Sequence, residues 1–141
     1  MTTTYDGKEL AETFLPVGQM LQVHRIVDIA DGRIVCERKI SEDDWFFPLH
    51  FPTDPVFPGC LLIEGAGQVV AIWAWANGLR GKPRLVKVAA EFKSPVSTCD
   101  KLLTYIGTVV KKNNICIGTV DLKVGDRMVG QVSASIVVLE S

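Results

Sequence analysis

Histidine is scarce in this sequence, which holds only two, His24 and His50, and its four cysteines, Cys36, Cys60, Cys99 and Cys116, form no Cys-x-x-Cys pair. With no cysteines and histidines at zinc-ligand spacing, a zinc ribbon or finger is excluded, and the thiols read as reduced and structural. A surplus of either charge is missing too. Fifteen Lys+Arg stand against 16 Asp+Glu, a formal net charge of -1, so no bulk basicity points to a nucleic-acid partner. The N-terminal run Met1-Thr-Thr-Thr-Tyr-Asp lacks a basic stretch leading into an apolar one, so no secretion signal is expected and the cytoplasm is the default. Repeats, linkers and low-complexity tracts are absent as well. With 141 residues, 48% of them hydrophobic, the chain reads as one domain, residues 1–141, with a real core.

One segment, from Val56 to Ala76, is apolar enough to raise the question of a membrane. Glu64 and Gln68 lie inside it and Pro58 and Gly59 break its start, so a buried core helix explains it better than membrane insertion. From Gly59 to Ala76 there is no proline and no turn pair, and the run is longer than a strand usually is. Its apolar residues surround the helix instead of forming one stripe, as in a helix enclosed by other structure. Gly65, Ala66, Gly67, Ala71, Ala74 and Ala76 would let a sheet approach closely. Asn77-Gly78 is a suitable stop, and Arg80 to Arg84 reads as a polar loop.

Before the helix, Met20 to Ile29 and Arg33 to Ile40 flank the turn Ala30-Asp31-Gly32 and predict a hairpin. Ser41 to Pro58, with four prolines and five clustered aromatics, predicts a rigid irregular loop. After the helix, Val86, Val88, Ala90 and Phe92 alternate with other residues. Strand-like runs then span Lys101 to Val110, Ile115 to Val124 and Arg127 to Leu139, with turns at Lys112-Asn113-Asn114 and Gly125-Asp126. A long apolar helix followed by a meander predicts an α+β fold, an antiparallel sheet wrapped around one central helix.

Two polar residues stand where apolar ones are expected: His50 in the proline-aromatic loop and Glu64 in the helix. An isolated carboxylate in low dielectric is costly, so Glu64 should be protonated, paired or open to a cavity. A partly neutral carboxyl is a usable general acid, and a neutral imidazole a usable general base. At the helix start, the backbone N–H groups of Gly59 and Cys60 lack intrahelical partners, and the helix dipole favours an oxyanion there. Taken singly, His50 could be held by neighbouring backbone and Glu64 by a lysine or arginine. Taken together with a glycine-opened helix, they point to proton chemistry. His24 reads as a structural residue in a strand, and the Cys60 side chain as packing, although its thiol sits where helix termini lower thiol pKa values.

The run His50-Phe-Pro-Thr-Asp-Pro-Val-Phe-Pro-Gly59, followed by Cys60 and Glu64, closely resembles the active-site segment of bacterial β-hydroxyacyl-acyl carrier protein dehydratases. Trp45-Phe-Phe and the helix bearing Gln68 extend the likeness, and the order of elements is similar to that family's hotdog fold over nearly the full length. The resemblance implies that His50 takes the α-proton of a β-hydroxyacyl thioester while Glu64 of the partner subunit protonates the departing hydroxyl. It further implies that the Gly59 N–H holds the thioester oxygen and that the Val56 carbonyl orients His50. Cys60, Phe57 and Gln68 complete the substrate-binding set, and no metal or redox cofactor is needed. In that family a glutamate acid mostly goes with plain dehydration, which Glu64 favours, whereas Asp54-Pro-Val-Phe-Pro-Gly-Cys60 looks more like the aspartate-bearing branch that includes isomerases. Pro48, Leu49, Gly65 and Gly67 depart from the family's usual residues, which leaves acyl length and pathway open to a specialised lipid or polyketide route.

The same resemblance implies a homodimer or a dimer-based oligomer, and a substrate delivered on the phosphopantetheine arm of an acidic acyl carrier protein, or on coenzyme A. Arg80, Lys82, Arg84 and Lys87 are the candidate landing residues, although for any one of them a solvated face is the readier explanation. Two alternatives remain: a hotdog thioesterase, in which an acid activates water against the same carbonyl, and a non-catalytic acyl-binding subunit.

Overall fold

In a computed structural model, the residues described are Tyr5–Asp6 and 15–140. Met1–Thr4, part of the run behind the expectation of no secretion signal, lies outside them. Seven strands form one sheet: β1 (Tyr5–Asp6), β2 (Arg25–Ala30), β3 (Arg33–Lys39), β4 (Lys82–Phe92), β5 (Leu102–Lys112), β6 (Ile115–Val124) and β7 (Arg127–Leu139). Their order is β1-β2-β3-β5-β6-β7-β4, antiparallel throughout. Among the described residues there is one long helix, α1 (Gly59–Ala76), which contacts β3 to β7.

The expected turns are where the residue types require them. Gly32 (φ 68°) closes β2–β3, and Asn113 (φ 57°), a residue that tolerates left-handed backbone, closes β5–β6. Period-2 burial then sends Leu103, Tyr105 and Val109 of β5 and Cys116, Val120 and Leu122 of β6 into the core. From Gly65 to Ala74 every residue of α1 is buried, which accounts for its membrane-like hydropathy as that of an enclosed core helix. Small residues permit this closeness from both sides: Gly118 of β6 leaves room for Val70, and Gly65 of α1 for the Tyr105 ring. Gly67 and Ala76 do not serve it. A Cβ at Gly67 would meet nothing within 4 Å, and Ala76 is exposed.

Several details differ from the sequence expectation. The strand expected from Met20 is β2, and it begins at Arg25 because the Met20 carbonyl and the Gln22 N–H are engaged by the Gln68 side chain and not by a neighbouring strand. Residues 82–84 are strand, not loop. Pairing of Lys82, Pro83 and Arg84 with Leu139, Val138 and Val137 extends them, and Pro83 is tolerated because β4 is an edge. β4 also fails to bury one face. Leu85, Val86, Val88 and Phe92 are all exposed, and β4 is an edge of the sheet among the described residues. Finally, Cys36 and Cys116 are buried but Cys60 and Cys99 are exposed free thiols, so packing does not explain those two.

Candidate active site

The segment from Ser41 to Pro58 is built of successive turns. Phe47 N–H donates to the Asp44 carbonyl at 3.2 Å, Leu49 to Phe46 at 3.0 Å and His50 to Phe47 at 3.4 Å. Its aromatics are structural: Phe46, Phe47 and Phe57 cluster with ring centroids 4.6 to 6.3 Å apart and are buried to 4% exposure or less. This plug holds the chain on either side of His50. The Val56 N–H donates to the His50 carbonyl at 2.8 Å, and the Phe57 N–H to the Val96 carbonyl at 2.8 Å. His50 Nδ1 in turn lies 3.2 Å from the Val56 carbonyl oxygen. A carbonyl only accepts, so Nδ1 carries a proton, and in the neutral ring Nε2 then keeps a free lone pair, the form a general base requires. The exposed Phe51 ring stacks on the imidazole, centroids 4.3 Å apart.

His50, Val56, Phe57 and Gly59 line one open cavity of about 370 Å³, which Phe92 to Val96 also line. Gly59 opens α1, with Pro58 preceding it in an extended conformation and without a side-chain cap. A Cβ on Gly59 would come within 3.1 Å of the Phe92 ring, so glycine here lets β4 and the helix start close together. The first N–H groups of α1 have no intrahelical acceptor, and one of them belongs to a residue that lines the same cavity as the imidazole. Cys60 is exposed and does not line that cavity.

Glu64 is elsewhere. It lines a second groove of about 410 Å³ with Gly67, Gln68, Arg84 and Leu85, and the two cavities share no residue. Of the sequence alternatives for this carboxyl, the structure gives pairing together with access to a cavity. Gln68 Nε2 donates to Glu64 Oε2 at 3.1 Å, and no salt bridge to a lysine or arginine holds it among the described residues. Gln68 is itself 3% exposed. Arg80 stacks over Trp75 at 3.8 Å, and Lys82, Arg84 and Lys87 are exposed on β4.

Sequence reasoning missed Gln22 and Arg38, both buried and both joined to Gln68 or its partners. A signal existed for Arg38. In β3 the alternation Ile34, Cys36, Arg38 puts it on the inward face, where a cation is out of place.

A sheet wrapped around one central helix, with a histidine loop leading into that helix, is the hotdog fold. Residues 15–133 match the family model of the FabA-like domain, and the chain belongs to that family. Among solved structures it is similar to the dehydratase heterocomplex ApeI:P from Xenorhabdus doucetiae, with TM-score 0.75, 12% identity, and coverage of 92% of this chain and 90% of that one. It is also similar to a hypothetical thioesterase with coenzyme A from Streptococcus pneumoniae TIGR4, with TM-score 0.66, 17% identity, and coverage of 82% and 85%. AziG from S. sahachiroi gives TM-score 0.64 at 20% identity, with coverage of 82% and 90%. Likeness at such identities speaks for the fold, which serves both dehydratases and thioesterases.

Proposed function

We propose that this protein is a hydro-lyase that interconverts β-hydroxyacyl and trans-2-enoyl thioesters, working in the cytoplasm as a homodimer of single-domain chains. The observation that carries the reading is the placing of the two candidate proton carriers along one unpaired edge. The His50 cavity borders the C-terminal end of β4 at Phe92, and the Glu64 groove borders its N-terminal part at Pro83 to Leu85. Antiparallel pairing of β4 with β4 of a second copy, about an axis near Val88, would set Arg84 of one chain opposite Phe92 of the other. That brings each His50 cavity to the partner's Glu64 groove. It also covers an edge whose unpaired backbone and exposed Leu85, Val86 and Val88 are otherwise an association hazard.

In such a site His50 Nε2 removes the proton from the α-carbon. The C–H electrons form the α,β double bond, the β-carbon–oxygen bond breaks, and the hydroxyl leaves as water with the proton of Glu64. The Gly59 N–H donates to the thioester oxygen as negative charge grows there, and one such donor is worth about 3 kcal/mol of barrier. Each placed proton carrier contributes on the order of 10²–10⁴-fold. Arg80, just before β4, and Lys82, Arg84 and Lys87 on it, of which Arg84 lines the Glu64 groove, form the landing surface for an acidic carrier protein or a coenzyme A phosphate.

The test follows the ultraviolet absorbance of a short trans-2-enoyl thioester, on coenzyme A and on carrier protein, with wild type, His50→Ala and Glu64→Gln. Loss of the conjugated band with formation of β-hydroxy product, reduced by about 10²-fold or more in each variant, supports the reading. Release of free thiol without hydration replaces it with thioester hydrolysis. No reaction on either carrier leaves an acyl-binding subunit.

A further inference from the structure

Gln22, Arg38 and Gln68 are the buried amide and charged side chains among the described residues, at 0%, 3% and 3% exposure, and all three belong to one network. Arg38 is its centre. Nε donates to Gln22 Oε1 at 3.0 Å, Nη1 to the Lys39 carbonyl at 2.7 Å, and Nη1 and Nη2 fork onto Asp44 Oδ2 and Oδ1 at 3.2 and 3.4 Å. Its guanidinium carbon lies 4.9 Å from the Phe57 ring centroid and 5.6 Å from that of Phe46. Burying a guanidinium is costly even when it is paired, and apolar replacements of buried ion pairs are often neutral or stabilising, so stability alone is a weak reason for this residue. Its geometry supplies another.

From Arg38 one limb runs to Glu64. The Gln22 side chain is held by Arg38, and the Gln22 backbone N–H donates to Gln68 Oε1 at 2.8 Å. Gln68 Nε2 then donates to the Met20 carbonyl at 2.7 Å and to Glu64 Oε2 at 3.1 Å. The second limb runs to His50. Asp44 accepts from the Ser41 N–H at 3.0 Å and starts the run of turns that ends on His50, while Phe57, under the guanidinium, directly follows the Val56 carbonyl that fixes the imidazole.

We propose that Arg38 is a positioning residue for two active sites at once, through Gln22 and Gln68 for the Glu64 that one site uses, and through Asp44 and Phe57 for the His50 that the other uses. This rests on the two-chain site proposed above, in which the base and the acid of one chain serve different sites. The planar fork of arginine fits the role because it reaches an amide, a carboxylate and an aromatic face in fixed relative directions, which a lysine ammonium does not.

Mixed dimers separate the limbs. A chain carrying Glu64→Gln is paired with a chain carrying His50→Ala, so that one intact site remains, with His50 from the first chain and Glu64 from the second. Arg38→Lys is then placed in one chain or the other. The proposal expects kcat to fall about tenfold or more in either placement, with KM little changed, as for misplacement of reacting groups. Two milder variants keep the guanidinium and carry the test if Arg38→Lys does not fold. Gln22→Leu should lower kcat only in the Glu64-supplying chain. Asp44→Asn, which retains an acceptor for the Ser41 N–H, should lower it only in the His50-supplying chain. Equal loss in both placements of these variants, or loss in neither, overturns the proposal in favour of a merely structural Arg38. If the unaltered pair is inactive while wild type is active, the two-chain site itself fails, and the proposal with it.

Discussion

Gln68 meets Glu64 in one orientation only: its Nε2 donates to Glu64 Oε2 at 3.1 Å, and its Oε1 accepts from the Gln22 N–H at 2.8 Å. Turning the amide over would set its NH2 against the Gln22 donor and its oxygen against the Met20 carbonyl, which now accepts from Nε2 at 2.7 Å. A donor therefore always faces Oε2, and a proton carried by the acid sits on Oε1. Gln68→Met is expected to lower kcat about tenfold through loss of this orientation. It should also cost about 1–3 kcal/mol of stability, because the Gln22 N–H and Met20 carbonyl lose their partner. Enzyme kinetics beside urea unfolding would check both, and an unchanged kcat would remove Gln68 from the site.

The edge strand supplies a second prediction. Val88 lies in the middle of β4 and is 41% exposed in the single chain, so it is not needed for the core. Val88→Asp should halve the apparent mass in sedimentation, because facing carboxylates near a two-fold axis repel and an edge charge blocks strand pairing. Far-ultraviolet circular dichroism should stay the same while activity disappears. A monomeric variant that keeps wild-type activity would sink the two-chain site.

Much of this site was legible in the sequence, and the reasons differ by residue. His50, Gly59 and Glu64 stand out because a polar residue in an apolar run, or a glycine opening a helix, is a local contradiction. The pairing of Gln68 with Gln22, 46 positions away, carries no such local mark. Arg38 did carry one in the alternation of β3, but one cation among Glu37 and Lys39 reads as surface until the inward face is known. β4 misled in the other direction. Its apolar positions predict burial, and among the described residues nothing buries them; in the reading proposed here a second copy covers this edge.

Tyr105 is fully buried, and its hydroxyl has no hydrogen-bond partner among the described residues. It sits against Gly65, one residue beyond Glu64. An unsatisfied buried hydroxyl costs about 1–3 kcal/mol relative to one that is paired. Tyr105→Phe should therefore leave the fold intact and raise the melting temperature by roughly 2–8 °C, as about 1 kcal/mol does in domains of this size. A drop in melting temperature would show that the hydroxyl has a partner after all.

With only two histidines in the chain, His24 can be titrated alongside His50 by proton NMR. His24 Nδ1 accepts from the Lys39 N–H at 3.1 Å, which requires that nitrogen to be unprotonated. Partial burial of the ring lowers its pKa below the usual value of 6.5, the charges of Arg38 and Lys39 lower it further, and Asp44 opposes them without prevailing. The sign of the linkage follows. Below about pH 6.5 the unfolded chain takes up the proton while the folded chain resists it, so this contribution is complete above that pH and is lost as pH falls through the lower folded value. His24→Gln should flatten the fall in unfolding free energy between neutral and mildly acidic pH. The effect should be modest, because one side of the ring meets solvent. A His24 midpoint at or above 6.5 would mean that the ring is not held partly buried beside the charges of Arg38 and Lys39.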